Sequence, residues 1–537
     1  MSTARPSLEL STSPPHPRPP SESLALFPSA SSSSSSSPPA ARPASLLGSI
    51  FNLTNTILGA GMLGLPSAIA HCGYAVGAAL LLGCAAASAL GLYLLHEAGR
   101  RVGNQPTLGN VAERAFHGCG VVVDSAILLK CFGVATAYLI VIGDSIPLAL
   151  EAFLPAVQSG SASEGFADLL IDRRTWIICA ALLVSPLVFL QRLDALRHTS
   201  LLALACVVVV TALIVSMAGD PSLCISQFSE DTGAPGTSRM YRSNASHLVA
   251  VRYVPLPPPA FSMPPHLRDY PPPIAPPTQP ALSTTDTSSG CDLHYVARTS
   301  WSRTVRVLPI FIFAFTCHQN LLSVTGEMGR PTSARVTGVV ASSVGISLIE
   351  YALVAAVGYT TFGDSVSSDL LASYPHSRVL GVARFTLSVV VALSYPLQSH
   401  PSLICLLSIT NRIAGSLDRT REASVLPEGH PHTSTRRAWQ VGAWLSASAQ
   451  RPEILRPMFA ALFLAASTAV ALQVTSLGLV LAAVGATGST IVTYIVPGGA
   501  YVYLTTDRWH ATRVLALIQL LLGLIIMPTC LTLIFVT

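Results

Sequence analysis

Eleven stretches of this 537-residue chain are apolar over eighteen residues or more. They lie at about 46–72, 74–97, 121–148, 174–191, 199–218, 305–326, 336–361, 378–408, 457–475, 477–503 and 513–535. A helix rises 1.5 Å per residue, so segments of this length match the roughly 30 Å of hydrocarbon in a bilayer. Inside lipid the backbone must satisfy its own hydrogen bonds, and at this length only a helix does so. The expected fold is therefore an all-α polytopic membrane protein with eleven transmembrane helices. Charge agrees: 11 % of residues are charged, against about 25 % in a soluble domain. That excludes a soluble multidomain enzyme, and the Leu, Val and Ile content excludes a disordered chain.

Proline marks what lies outside the apolar body. Ten of the 40 prolines fall in residues 1–45 and 14 in residues 219–304. Residues 1–44, with seven consecutive serines at 31–37, read as a disordered Ser/Pro-rich tail. The membrane domain then covers 45–537, with 219–304 as a loop insertion and 411–456 as a linker. Basic residues at short loops orient the bundle. A cytoplasmic tail puts Arg100, Arg101, Arg114, Arg192, Arg197, Arg330, Arg335 and the linker's seven arginines inside. Only Arg173, Arg174 and Arg378 then lie in short outer loops. The linker is cytoplasmic on this reading, and the 219–304 loop is extracellular or luminal. That loop carries a glycosylation sequon at Asn244 and two cysteines, Cys224 and Cys291, whose disulfide would close it in an oxidising compartment.

The first span reads Asn52-Leu-Thr-Asn-Thr-Ile-Leu-Gly-Ala-Gly-Met-Leu-Gly-Leu-Pro66. Gly59, Gly61 and Gly64 each weaken a helix by about 1 kcal/mol relative to Ala. Two readings follow: close helix packing through small residues, or a helix break whose freed amides face a ligand. Asn52, Thr54 and Asn55 just before the glycines favour the break. Pro66 would then occupy the first turn of a restarted half-helix, whose N-terminus suits a carboxylate. The sixth span carries Thr316, Cys317, His318, Gln319 and Asn320 at mid-membrane depth, where polar groups are costly unless they face a cavity. Polar interruptions at corresponding places in two five-helix halves are the pattern of inverted-repeat transporters. Lys130, Glu350, Arg384 and His318 are ionisable residues within spans and are functional candidates by default. Lys130 is the chain's one lysine beside 30 arginines. His318 could act as a proton-linked switch. No nucleophile elbow, phosphate loop or zinc motif occurs, so enzymatic activity is not expected. The scattered net charge of +5 does not suggest nucleic acid.

These motifs resemble the amino acid/auxin permease superfamily, in particular its sodium-coupled neutral amino-acid transporter and vacuolar amino-acid transporter branches. The resemblance rests on the first-span motif and on Cys131-Phe-Gly-Val-Ala-Thr-Ala-Tyr-Leu-Ile-Val-Ile-Gly-Asp144. It also rests on Phe313-Ala-Phe-Thr-Cys-His-Gln-Asn320, Gly358-Tyr-Thr-Thr-Phe-Gly-Asp364 and Ser394-Tyr-Pro-Leu-Gln-Ser-His-Pro401. The run Gly485-Ala-Thr-Gly-Ser-Thr490 with Pro497-Gly498 completes it. It implies a leucine-transporter-like fold of two inverted five-helix repeats plus one helix. It further implies a secondary active transporter of neutral amino acids working by alternating access. The substrate carboxylate would sit on amides around Gly61, Met62, Leu63 and Gly64, and its amine on carbonyls of the two broken helices. Asn52, Gly59, Thr316, His318 and Asn320 complete the expected substrate contacts. A sodium site would comprise Asn55, Leu58 and Ser394, the last a Ser where relatives carry Thr. The Thr-Cys-His-Gln-Asn form of span six instead resembles the vacuolar branch, so Na+ and H+ both remain coupling ions and no cofactor is expected. The membrane would be the plasma membrane or that of a vacuole or lysosome. An amino-acid sensor that signals through tail or linker, or a transporter of another small amine, are the alternatives.

Overall fold

The computed structural model describes residues 45–59, 61–103, 106–154, 169–189, 196–218, 301–424, 451–474, 476–505 and 510–535. Asn244, Cys224, Cys291 and the tail lie outside the described residues. Among those described there is no strand. Nine helices are long and apolar enough to cross a membrane, and a bent pair makes a tenth. The fourth expected span holds a helix of 16 residues, about 24 Å long and short of a full crossing. It ends next to residues that are not described.

The bent pair is α1 (Leu46–Ile57) and α2 (Gly61–Cys72), inclined by 51°. Ser45 caps α1 through the Gly48 amide, and the helix stops where Leu58 turns extended. The glycines at 59 and 61 flank the stop, since glycine carries the largest entropic cost of helix continuation. Helix therefore resumes at Gly61, and Pro66 falls in the interior of α2 rather than in its first turn. The break precedes the proline because the Gly-Ala-Gly run already interrupts the helix. The next elements are α3 (Tyr74–Val102), α4 (Leu108–Ala115), α5 (Gly120–Phe153), α6 (Arg173–Val188) and α7 (Leu196–Met217). The sixth span is also interrupted, as α8 (Trp301–Ala314) and α9 (His318–Glu327). Then come α10 (Ser333–Phe362), a loop with short tight turns at 363–373, and α11 (Arg378–Ser424). The helix of α11 continues through the first part of the expected 411–456 linker. The chain finishes with α12 (Pro452–Gln473), α13 (Leu477–Val484), wide π turns at 485–489 and 491–495, α14 (Val496–Leu504) and α15 (Ala511–Phe535).

The centre of the bundle is α5, buried over most of its length and packed most extensively on α11. Glycines at its contacts allow this approach. A Cβ at Gly133 would lie 2.1 Å from Val484, and one at Gly488 would lie 2.6 Å from Lys130 Cβ. The outward faces of α7, α10 and α15 remain apolar and exposed, with Leu202, Ile349 and Ile525 between 52 % and 71 % accessible. Lipid can cover such faces.

Each end of α5 carries a polar network. At its start Arg412 reaches Glu113 at 3.1 Å, Asp124 at 3.6 Å and Asn110 Oδ1 at 2.8 Å, tying α4 and α5 to α11. Ser408 also donates to Asp124 at 2.7 Å. The Gly118 and Gly120 amides and Arg412 hold the Glu113 carboxyl below its usual range against partial burial. At the other end Arg173 pairs with Asp144. Beside them a pocket of about 220 Å³ is walled by Asp144, Ser367, Asp369 and Arg384. Arg384 donates to the Leu371 carbonyl at 2.9 Å, so this buried arginine braces the 363–373 loop. Asp369 caps a turn through the Leu371 amide at 3.1 Å.

Two predictions concern these ends. Arg412→Ala leaves buried Asp124 without its cation and should lower stability in detergent by about 3 kcal/mol. Arg412→Lys, which keeps charge but not the fork, should fall between. Burial pushes the Asp369 carboxyl from 3.8 up to about 6, opposed by the Leu371 amide and Arg384. The folded value exceeds the unfolded one, so its stabilising contribution is full below about 3.8 and is lost as pH rises through about 6. Asp369→Asn keeps an acceptor for the Leu371 amide. It should be more stable than the parent at pH 7, by up to about 3 kcal/mol, with the melting curves converging near pH 4.

Candidate functional site

Helix breaks leave carbonyls and amides without intrahelical partners, and in a buried position each needs another. Both breaks of this chain meet at the bundle centre. The hydroxyl of Tyr351 on α10 sits between the carbonyls of Ile57, at the end of α1, and Ala314, at the end of α8, 3.0 Å from the latter. One hydroxyl thus serves two helix ends, donating its single proton to one carbonyl at a time. Ser88 of α3 donates to the Phe315 carbonyl at 2.7 Å. Thr316 closes the second break locally, its hydroxyl donating to the Ile312 carbonyl at 2.7 Å. Across the breaks, Asn320 donates to the Thr56 hydroxyl at 3.2 Å.

Between the breaks lies a small cavity of about 10 Å³, the space of one water-sized sphere. Its wall includes Thr56, Gly59, Lys130, Tyr138, Thr316 and Gln398. This space is too small for a molecule the size of an amino acid. Gly59 admits the Tyr138 hydroxyl, which would stand 2.7 Å from a Cβ at that position. Lys130, only 2 % exposed, reaches the Thr316 carbonyl at 3.4 Å and Gln398 Oε1 at 3.5 Å.

Of the expected substrate contacts, Gly59 and Thr316 line this cavity. Gly61 and Gly64 serve packing: a Cβ at Gly61 would be 3.2 Å from Ala314 Cα, and one at Gly64 would be 3.3 Å from Leu481. The helix does break within this motif, and Gly61 and Gly64 also pack closely on neighbouring helices. Met62 and Leu63 are core residues. His318 is fully buried, its Nδ1 3.4 Å from the Thr493 hydroxyl, and its Nε2 has no partner among the described residues.

A second polar group surrounds the end of α1. Asn55 donates to the Ser200 hydroxyl at 3.2 Å and accepts from Ser394 at 3.4 Å. Ser200 in turn donates to Asn52 Oδ1 at 3.5 Å. The structure thus joins Asn55 to Ser394 as the expected ion site requires, and places Asn52 in that group. Leu58 follows directly on the helix end. Neutral oxygens from three helices suit a hard cation such as Na+. Ser200 was not legible in the sequence because a single serine in an apolar span carries no pattern. Tyr138 and Gln398 lie inside motifs quoted above but give no sign there of which way they face. Glu350 accepts from Thr211 on α7, away from both groups.

The family described as "Transmembrane amino acid transporter protein" matches residues 42–240 and 283–537. Vacuolar amino acid transporter 5 of Schizosaccharomyces pombe is 29 % identical over 462 residues, covering 86 % of this chain and 84 % of the relative. Vacuolar amino acid transporter 6 of Saccharomyces cerevisiae is 26 % identical over 513 residues, covering 91 % and 98 %. Amino acid transporter AVT6B of Arabidopsis thaliana is 25 % identical over 368 residues, covering 67 % of each. The relatives are named as transporters rather than enzymes. Matched across both halves and through both helix breaks, this multi-pass chain belongs to the transmembrane amino acid transporter family.

Proposed function

We propose that the protein is a secondary active transporter that moves neutral amino acids across a vacuolar-type membrane by alternating access. The observation that carries this reading is the convergence of two broken helices on one small cavity at the bundle centre. The names of the relatives support the vacuolar location. Neutral substrates fit because, among the described residues, the cavity wall holds no carboxylate side chain to attract a second ammonium and already holds Lys130. On this reading the ten spans led by the two broken ones form inverted five-helix repeats, α6 being a short fourth crossing and α15 the eleventh helix. Rocking of one bundle against the other would expose the cavity to either side in turn. The ion is Na+ if the Asn52–Asn55–Ser200–Ser394 group binds it, with the Leu58 carbonyl beside it. It is H+ if a buried base such as His318 carries it.

The test is uptake of labelled glutamine, alanine and leucine into proteoliposomes under an imposed sodium or proton gradient. Accumulation under one of the two is expected, and no movement under either would defeat the reading. Gly59→Ala, which drives a methyl against the Tyr138 hydroxyl, should reduce transport more than tenfold with little change in melting temperature. If sodium is the coupled ion, Ser394→Ala should raise the half-saturating sodium concentration by about tenfold, the effect of losing roughly 1.4 kcal/mol at one oxygen ligand.

A further inference from the structure

We propose that the Lys130 ammonium is the fixed countercharge on which the substrate α-carboxylate docks, so that the site selects molecules bearing a carboxylate. This deepens the transporter reading and rests on it.

Lys130 stands in the middle of α5 and is buried in the wall of the central cavity, beside both helix breaks. Among the described residues it makes no ion pair. Its two acceptors, the Thr316 carbonyl and Gln398 Oε1, are neutral and stand at 3.4 and 3.5 Å, beyond the usual 2.7–3.2 Å of a hydrogen bond from nitrogen. A charged group taken from water is costly unless it is paired and well hydrogen-bonded, and among the described residues this ammonium has no anion and only these two long contacts. A carboxylate entering the cavity supplies both. Gly488 also brings the π turns of 485–489 close to the base of this side chain, where a Cβ on residue 488 would lie 2.6 Å from Lys130 Cβ. Lys130 and Thr316 would together receive a zwitterion. The ammonium would take the carboxylate, and the Thr316 carbonyl, released from Lys130, would be free to accept from the substrate amine.

The experiment uses the full-length protein in proteoliposomes. It measures how glutamine, alanine, leucine and their C-terminal amides compete with a labelled amino acid. The wild type should prefer each acid to its amide. Lys130→Gln should raise the half-inhibitory concentration of the acids about 30-fold and that of the amides less than threefold, in line with loss of one charge-assisted hydrogen bond. Lys130→Arg should retain part of the preference. Gln398→Glu is a second test that does not empty the site. It puts a carboxylate within reach of the ammonium and should weaken acids selectively while leaving the protein at least as heat-stable. A Lys130→Gln variant that keeps the wild-type preference, or loses both ligand classes equally, overturns the proposal. So does a variant with unchanged affinity and exchange that has lost only proton-driven accumulation, which would make Lys130 a proton carrier. If the wild type recognises no amino acid at all, the transporter reading itself fails, and that result is visible before any variant is compared.

Discussion

The structure depends on how the polar backbone groups at two interrupted helices are satisfied where there is no water to do it. Two breaks facing one another cost less than one alone, because a single side chain can serve both. Tyr351 does this for the carbonyls of Ile57 and Ala314. Ser88 and the side chain of Thr316 satisfy further groups around the second break. Around Lys130, the contacts to the Thr316 carbonyl and Gln398 are long, at 3.4 and 3.5 Å. Weakly satisfied polar groups lining a cavity are where a polar ligand has much to gain.

Helix α5 connects that centre to both ends. Its first turns hold Asp124 under Arg412, its middle holds Lys130 and Tyr138, and its later turns hold Asp144 against Arg173. The glycines along its contacts let α13 and the adjoining π turns approach closely. Tight, glycine-mediated contacts transmit a shift rather than absorb it, since packed interiors have little slack. Separation of the helices at either end of α5 would therefore be felt at the cavity.

Much of this was legible in the residues, for particular reasons. The broken first span showed itself because Gly59, Gly61 and three polar neighbours interrupt an apolar run. The broken sixth span showed itself through five polar residues in a row. Asn55 and Ser394 were identified by motif resemblance, and they do lie together. Other features left no trace. Pro66 drew attention to itself as a helix start, yet the glycines before it had already interrupted the helix. The roles of the three glycines divide by what faces each one, Tyr138 at Gly59 but backbone and side chains of neighbouring helices at Gly61 and Gly64. Ser200, Gln398 and Tyr351 come from spans whose local sequence does not announce a ligand.

By itself the sequence determined the class of fold, because apolar length and the need to satisfy backbone groups in lipid depend only on local composition. It also determined where helices fail, since glycine content and polar runs act over a few residues. The tertiary structure alone decided which side chains meet at those failures. Burial of Lys130 without an anion, the sharing of Tyr351 between two helix ends and the division of the first-span glycines are products of long-range contact. Asn55 and Ser394, 339 positions apart, are brought within hydrogen-bonding distance, and no local pattern encodes such a pairing.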